Sequence, residues 1–208
     1  MIQIFFVRHG ETDYNRKGIV QGSGIDSNLN EHGKRQAQAL FEAYNHISFD
    51  KVFVSGLKRT HQTIAPWRIH GYDLKVEPAL NEFSWGIHEG VVPTVEQRAE
   101  FHGLIQKWTE GDLHLSVEKG ESPIQAWDRT KNFFDKIFDG PDEATYLMCS
   151  HGRQLRIIIS NLLKEHMSEM EKYKHDNTAV SIMQFEPKQS GRLIQLNDTK
   201  HLKNVVMG

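Results

Sequence analysis

The chain has 208 residues, enough to bury one full core, and its 38% hydrophobic and 25% charged content falls in the ordinary soluble range. A formal charge of -2 argues against a nucleic-acid or membrane surface as partner, and no apolar run approaches the roughly 20 residues of a membrane helix. A single cysteine, Cys149, excludes an intramolecular disulfide and a cysteine-based zinc site.

Ile2 to Val7 is a near-continuous apolar run, as expected of a strand covered on both faces. It reads as a core strand rather than a leader peptide, so a cytoplasmic protein is expected. Asn30 to Tyr44 has helical spacing (Ala37, Leu40, Phe41, Tyr44) behind an Asn30 cap. Lys51 to Gly56 reads as a short buried strand and Leu57 to His70 as a helix that Pro66 should end or kink. A short strand is expected at "LKVEP". Helices are expected over Thr94 to Trp108, with Phe101, Leu104, Ile105 and Trp108 on one face, and over Ser122 to Phe138. Ala144 to Gly152 is again a buried strand with a polar stop, followed by an apolar helix in "QLRIIISNLL". "HMSEMEKYKHD" suggests an amphipathic helix against the core, and "AVSIMQFEP" with "RLIQLND" a hairpin turning at Lys188 to Gly191. Strands alternating with helices predict a three-layer α/β/α fold with a mainly parallel central sheet. Nothing in the composition divides the chain, so one domain over residues 1–208 is expected.

In open α/β sheets, ligands gather beyond the carboxyl ends of the strands. Three strands end in polar groups: "VRHGET", "SGLKRTHQT" and "SHGRQ". They would bring Arg8, His9, Arg59 and His151 to one mouth, where two cations, two imidazoles and helix N-termini suit an anion, naturally a phosphate. A neutral histidine offers a ring nitrogen as nucleophile. Arginines spread the charge of a phosphoryl transition state. Gly10, without a Cβ, would let backbone amides approach the phosphoryl group.

"RHGETDYN", "QGSGID", "SGLKRTHQT", "LNEFSWGIHEG", "GES" and "SHG" occur in order, and the pattern extends through "HDNTAVS". Together they resemble the histidine phosphatase superfamily, also called the phosphoglycerate mutase-like family. The resemblance implies that His9 is the nucleophile and becomes a phosphohistidine. It implies a phosphate pocket of Arg8, Arg59 and His151, with Asn15 and the Gly152 amide as further donors. It implies Glu82 as proton donor to the leaving alcohol and as base for the incoming water, and it implies no metal or other cofactor. Gln21 either contacts substrate or caps a turn. Gly56 and Asn28 stand where proline is frequent, and Arg153 stands where a small residue is usual, leaving it either near the site or facing solvent.

Other readings are blander. Glu89 competes with Glu82. His61, His70, His88, His102 and His114 lack paired metal-ligand spacing and read as surface or packing residues. Cys149 reads as a small buried hydrophobe. Trp67, Trp108 and Trp127 fit helix faces, whereas Phe83, Trp85, Val91 and Val92 suggest a partly apolar entrance.

The family holds phosphatases and mutases. Residues 83–122, where a specificity lid would be built, contain three Lys or Arg (Arg98, Lys107, Lys119) against seven acids. A mutase must retain a bisphosphorylated intermediate under cationic cover, so this favours a phosphatase acting on a small-molecule phosphate ester. A mutase and a phosphate-binding pseudoenzyme are the alternatives; the latter would have lost His9, Arg59, Glu82 or His151.

Overall fold

The computed structural model describes residues 1–186 and 191–205. The chain runs β1 (Ile2–Arg8), α1 (Asp13–Arg16), α2 (Glu31–Tyr44), β2 (Lys51–Val54), α3 (Lys58–Ile69), β3 (Leu74–Val76) and α4 (Val95–Thr109). It continues through α5 (Pro123–Phe138), β4 (Ala144–Ser150), α6 (Gly152–Leu162), β5 (Val180–Phe185) and β6 (Arg192–Asp198). The six strands form one sheet in the order β3-β2-β4-β1-β5-β6. Its β3, β2, β4 and β1 neighbours are parallel, whereas β5 is antiparallel to both β1 and β6.

Alternation along the strands divides the core. Ile4, Phe6, Phe53, Tyr146 and Met148 face α5 and α6, packing on Phe133, Phe134, Leu155 and Ile158. Phe5, Val7, Val52, Val54 and Leu147 face α2 and α3, packing on Leu40, Phe41, Ile64 and Trp67. Helices therefore cover both faces, which is why the central strands read as unbroken apolar runs. Cys149 belongs to this second cluster, and burial pushes its thiol pKa up. Register aligns the strand ends: Val7 and Val54 both lie beside Cys149, and Arg8 lies beside Ser150. The chains leaving β1, β2 and β4 thus emerge together at one edge.

Some expectations are corrected. Helix α3 passes through Pro66 and ends one turn later, where the His70 amide bonds the Pro66 and Trp67 carbonyls. Burial of Ile64 and Trp67 against the sheet holds the helix across the lost N–H. "HMSEMEKYKHD" forms a 3-10 turn over Met167–Lys172 rather than an α-helix, with Met167 and Met170 buried. Helix α1, only four residues long, is too short to show a period; Thr12 and Asn15 cap it reciprocally. The antiparallel β5 and β6 pairing is present. Of the expected turn between them, Lys188 to Ser190 lies outside the described residues.

Gly10 serves packing rather than phosphate approach. A Cβ there would lie 2.8 Å from the Gly33 carbonyl oxygen, and its N–H is already given to Thr63 Oγ1 at 2.9 Å. A Cβ on Gly33 would lie 2.1 Å from the Glu11 carbonyl oxygen, so the turn after β1 and the start of α2 meet backbone to backbone. Alanine normally stabilises a helix relative to glycine, but here the crowding reverses the sign. We expect Gly33→Ala to destabilise the fold by about 1–3 kcal/mol in urea unfolding. Gly103→Ala in α4, where a Cβ meets nothing within 4 Å, should stabilise by about 0.5–1 kcal/mol.

Candidate active site

His9 leaves β1 still bonded to β4, its N–H donating to the Ser150 carbonyl at 3.0 Å. Its Nδ1 lies 2.7 Å from the Gly10 carbonyl oxygen. That oxygen only accepts, so Nδ1 carries the proton and Nε2 keeps its lone pair. Burial first, then the charges of Arg59 and Arg8, hold the His9 pKa well below its ordinary value, and the ring stays neutral.

His151 sits beside it, the ring centroids 5.1 Å apart. Arg59 Nε donates to His151 Nδ1 at 3.1 Å, so the remaining ring proton is on Nε2, 2.8 Å from Ser55 Oγ. Thr60 Oγ1 donates to the Leu57 carbonyl at 2.8 Å and is therefore free to accept from Ser55 Oγ at 3.0 Å. Ser55, taking a hydrogen bond from His151 and giving one to Thr60, fixes one tautomer. Burial, followed by the charges of Arg59 and of its neighbours, keeps His151 neutral too. Arg59 is fully buried and also donates to the Ile25 and Gly22 carbonyls, at 2.6 and 3.3 Å. Three of a guanidinium's five N–H groups are thereby occupied.

Glu82 is buried and caps α6: Oε1 accepts from the Phe83 and Gln154 amides at 2.9 and 3.0 Å. Its Oε2 has only a long bond, 3.4 Å, from the Arg153 amide. Arg129 holds this loop, donating to the carbonyls of Ala79, Asn81 and Glu82 and pairing with Glu121 at 2.9 Å. Glu89, the competing acid, clamps loops instead, accepting from the Trp85 and Gly24 amides at 2.8 and 2.9 Å.

A cleft of about 210 Å³ opens over His9 and Glu82, with Arg8, Asn15, Gln21 and Gly152 in its wall. Arg8 Nη1 donates to the His175 carbonyl at 2.8 Å, and Arg8 Nε is buried without a partner. Gly152 permits this: a Cβ there would lie 3.3 Å from Arg8 Nε. The Asn15 side chain accepts at Oδ1 from Thr12 and Asn177, which leaves its NH₂ for the cleft. Gln21 is bound at both ends, donating to Thr12 at 2.5 Å and accepting from Ser27, so it braces a turn at the cleft edge.

Two sequence expectations need adjusting. Arg59 and His151 do not line the cleft; they stand behind it, fully buried. Of the expected apolar entrance, Trp85 lines the cleft together with Ile19, Val20 and Phe101. Phe83 is buried behind it and Val91 and Val92 face outward. Arg153 does not face solvent: it is buried, its guanidinium carbon 5.4 Å from the ring centroids of both Trp85 and Trp108, and it pairs with Glu171. Ser55, Thr60, Arg129 and Asn177, whose Nδ2 donates to the His9 carbonyl at 2.9 Å, are site residues that sequence reasoning misses. Ser55 and Thr60 lie within "SGLKRTHQT", and that motif is the signal that points to them, whereas a charged helix residue such as Arg129 carries none. Asn177 lies within "HDNTAVS", and that motif is the one signal that points to it. Among the described residues no three His, Cys, Asp or Glu side chains converge as a metal site.

The model of the histidine phosphatase superfamily (branch 1) matches residues 4–199. Phosphoserine phosphatase 1 of Hydrogenobacter thermophilus is 26% identical over 97% of this chain and 95% of its own. Fructose-2,6-bisphosphatase TIGAR B of Danio rerio is 40% identical over 76% and 74%. Proteins named as probable phosphoglycerate mutases match as well. The fold superposes on mycobacterial glucosyl-3-phosphoglycerate phosphatase in complex with inorganic phosphate, with a TM-score of 0.82 and 21% identity, covering 96% and 98% of the two chains.

The neutral buried imidazoles have a consequence for stability. Below about pH 6.5 the unfolded chain takes up protons on His9, His151 and His175 that the fold refuses. Stability therefore rises with pH through that window and falls on acidification, until each folded pKa is reached. For His175, buried with its ring bonded to Tyr173 and Ser181, that value is about 4. Each such group is worth about 1.4 kcal/mol per pH unit. Urea unfolding of His175→Asn between pH 6.5 and 4 should show a slope shallower than that of the native protein by one proton's worth.

Proposed function

The chain belongs to the histidine phosphatase superfamily, branch 1, and from that premise we propose that it is a metal-independent phosphomonoesterase acting through a phosphohistidine on His9. Family members are phosphatases and phosphoglycerate mutase-like proteins, so the family supports a phosphoryl-transfer enzyme, hydrolase or phosphotransferase. The observation that carries the finer reading is a neutral, buried His9 whose Nδ1 is tied to the Gly10 carbonyl, leaving Nε2 as the free lone pair beside guanidiniums.

In this reading the ester's phosphoryl group enters the cleft against Arg8, the Asn15 amide group and the Gly152 N–H. Arg59 and His151 stand behind His9; the two guanidinium N–H groups of Arg59 not spent on Ile25, Gly22 and His151 supply charge as the transition state loosens. His9 Nε2 attacks phosphorus, the P–O bond to the alcohol breaks, and a proton from Glu82 goes to the leaving oxygen. Oε2, the less engaged oxygen, is the one that carries it. Glu82, now a carboxylate, takes a proton from water as the water oxygen attacks phosphorus. The P–N bond then breaks, releasing phosphate and restoring both residues. The cationic pocket does the charge neutralisation that Mg²⁺ supplies in many other phosphoryl-transfer sites.

Residues 83–122 act as the specificity lid of one domain, tethered through Glu121 to Arg129 and through Trp85 to Arg153. Their excess of acids supports hydrolysis over mutase activity. A cytoplasmic location belongs to the same reading, in keeping with a lone buried thiol.

Purified protein is expected to hydrolyse p-nitrophenyl phosphate with or without EDTA and to be inhibited by vanadate; loss of turnover in EDTA would refute the metal-free mechanism. Arg59→Ala should lower kcat by about 10²–10³-fold, the scale of one lost transition-state donor. His9→Ala should trap no labelled phosphate in rapid-quench experiments.

A further inference from the structure

Three consecutive residues of the turn after β2 carry two connections. Ser55 Oγ accepts from His151 Nε2 at 2.8 Å and from the Leu57 amide at 3.1 Å, so the turn is folded around the group that sets the His151 tautomer. Between them, Gly56 donates its N–H to Asn81 Oδ1 at 2.7 Å. Asn81 closes the 3-10 turn Pro78–Leu80, its own N–H bonded to the Pro78 carbonyl at 3.0 Å, and the next residue is Glu82. One contact therefore joins the turn bearing Ser55 to the segment that delivers the acid.

Residues 79–82 have other holds, and these come from another side. Arg129 of α5 takes the carbonyls of Ala79, Asn81 and Glu82, Gln154 of α6 takes that of Ala79, and Ser150 takes that of Leu80. Among the described residues, the Gly56 amide is the hold on this stretch that comes from the β2 turn. Backbone geometry does not demand glycine there, since Gly56 has no positive φ. Burial does not demand the bond either: Gly56 is exposed, and water would satisfy its N–H in place of Asn81. Proline, frequent at this position in the family, has no N–H to give, so the contact lies outside the family's pattern. What the bond does fix is the bearing of the chain one residue before the acid.

Glu82 has little latitude. Its Oε1 is committed to the Phe83 and Gln154 amides, and a general acid acts over about 2.6–3.2 Å from the atom it protonates. We propose that Asn81, held by the Gly56 N–H, is a positioning residue: it fixes Glu82 Oε2 relative to the leaving oxygen of an ester whose phosphoryl group sits beside His9. The proposal rests on the phosphomonoesterase reading, with Glu82 as proton donor. Without the bond the loop keeps its Arg129 grip, and the carboxyl drifts off the line to the leaving oxygen while His9 and the phosphate donors stay in place.

The test compares kcat/KM for p-nitrophenyl phosphate and phenyl phosphate, esters of similar shape. The nitrophenolate departs with little help, whereas the more basic phenolate needs a proton as it leaves. Because kcat/KM reports the steps up to departure of the phenol, the part Glu82 plays in the water step does not enter. Asn81→Ala should lower kcat/KM for phenyl phosphate about tenfold more than for p-nitrophenyl phosphate, a portion of the roughly 10²–10⁴-fold that general acid catalysis supplies. Gly56→Pro, which removes the donor at the other end, should give the same selective loss, and Asn81→Asp, which keeps an acceptor, should retain the native ratio. Equal losses on both esters, or an unchanged ratio in Asn81→Ala and Gly56→Pro, would overturn the positioning role. Glu82→Gln separates the two readings. If it is selective against phenyl phosphate and Asn81→Ala is not, the positioning role alone falls. If Glu82→Gln is unselective, or the native protein hydrolyses neither ester, the proton-donor reading fails and the positioning role falls with it.

Discussion

Two imidazoles kept neutral between buried guanidiniums are the constraint on which this site depends. Buried carboxylates placed directly against Arg8 and Arg59 would quench the charge that an incoming phosphate needs. The fold uses backbone carbonyls instead: His175 for Arg8, and Ile25 and Gly22 for Arg59. A carbonyl satisfies an N–H without cancelling a full charge, which lets a cationic pocket persist in a desolvated place. The Arg59 and Arg8 guanidiniums thereby tie the segments around Gly22 and His175 to the sheet edge.

The same economy governs the protons. His9 and His151 use opposite tautomers, one set by the Gly10 carbonyl and the other by the Arg59, Ser55 and Thr60 chain. Each ring has one nitrogen with a defined lone pair. Glu82 is positioned by the N-terminus of α6, where orphan amides accept a carboxylate readily, and its loop is held from below by Arg129. Because Arg129 also grips Glu121, and Glu121 accepts from the Ser84 amide at 2.9 Å, residues 83–122 are tied to the loop that carries Glu82.

Much of the fold was legible because burial on both faces leaves an unmistakable record: unbroken apolar strands, helices with one apolar face, a cap at Asn30 where expected, and helices beginning beside Thr94 and Ser122. The failures have physical causes. Pro66 does not stop α3, since packing of Trp67 outweighs one lost hydrogen bond. The segment of Met167 and Met170 was expected as an amphipathic helix, yet a short 3-10 segment suffices to bury both. Gly10 looked like a concession to ligand and is one to Gly33.

By itself the sequence determined which groups stand where the strands stop, because residue type and strand end are both local properties. It therefore named Arg8, His9, Arg59 and His151 as a set, and ordered motifs tied that set to a family, whose resemblance added Glu82. Only the tertiary structure decided how the set is arranged: Arg59 and His151 behind the cleft, Arg153 turned inward onto two tryptophans, and Ser55 as the acceptor that selects a tautomer. Such facts depend on contacts between residues as far apart as Ser55 and His151 or Arg8 and His175. No local pattern encodes those, because each partner alone is an ordinary residue and acquires its meaning from the register of β1, β2 and β4.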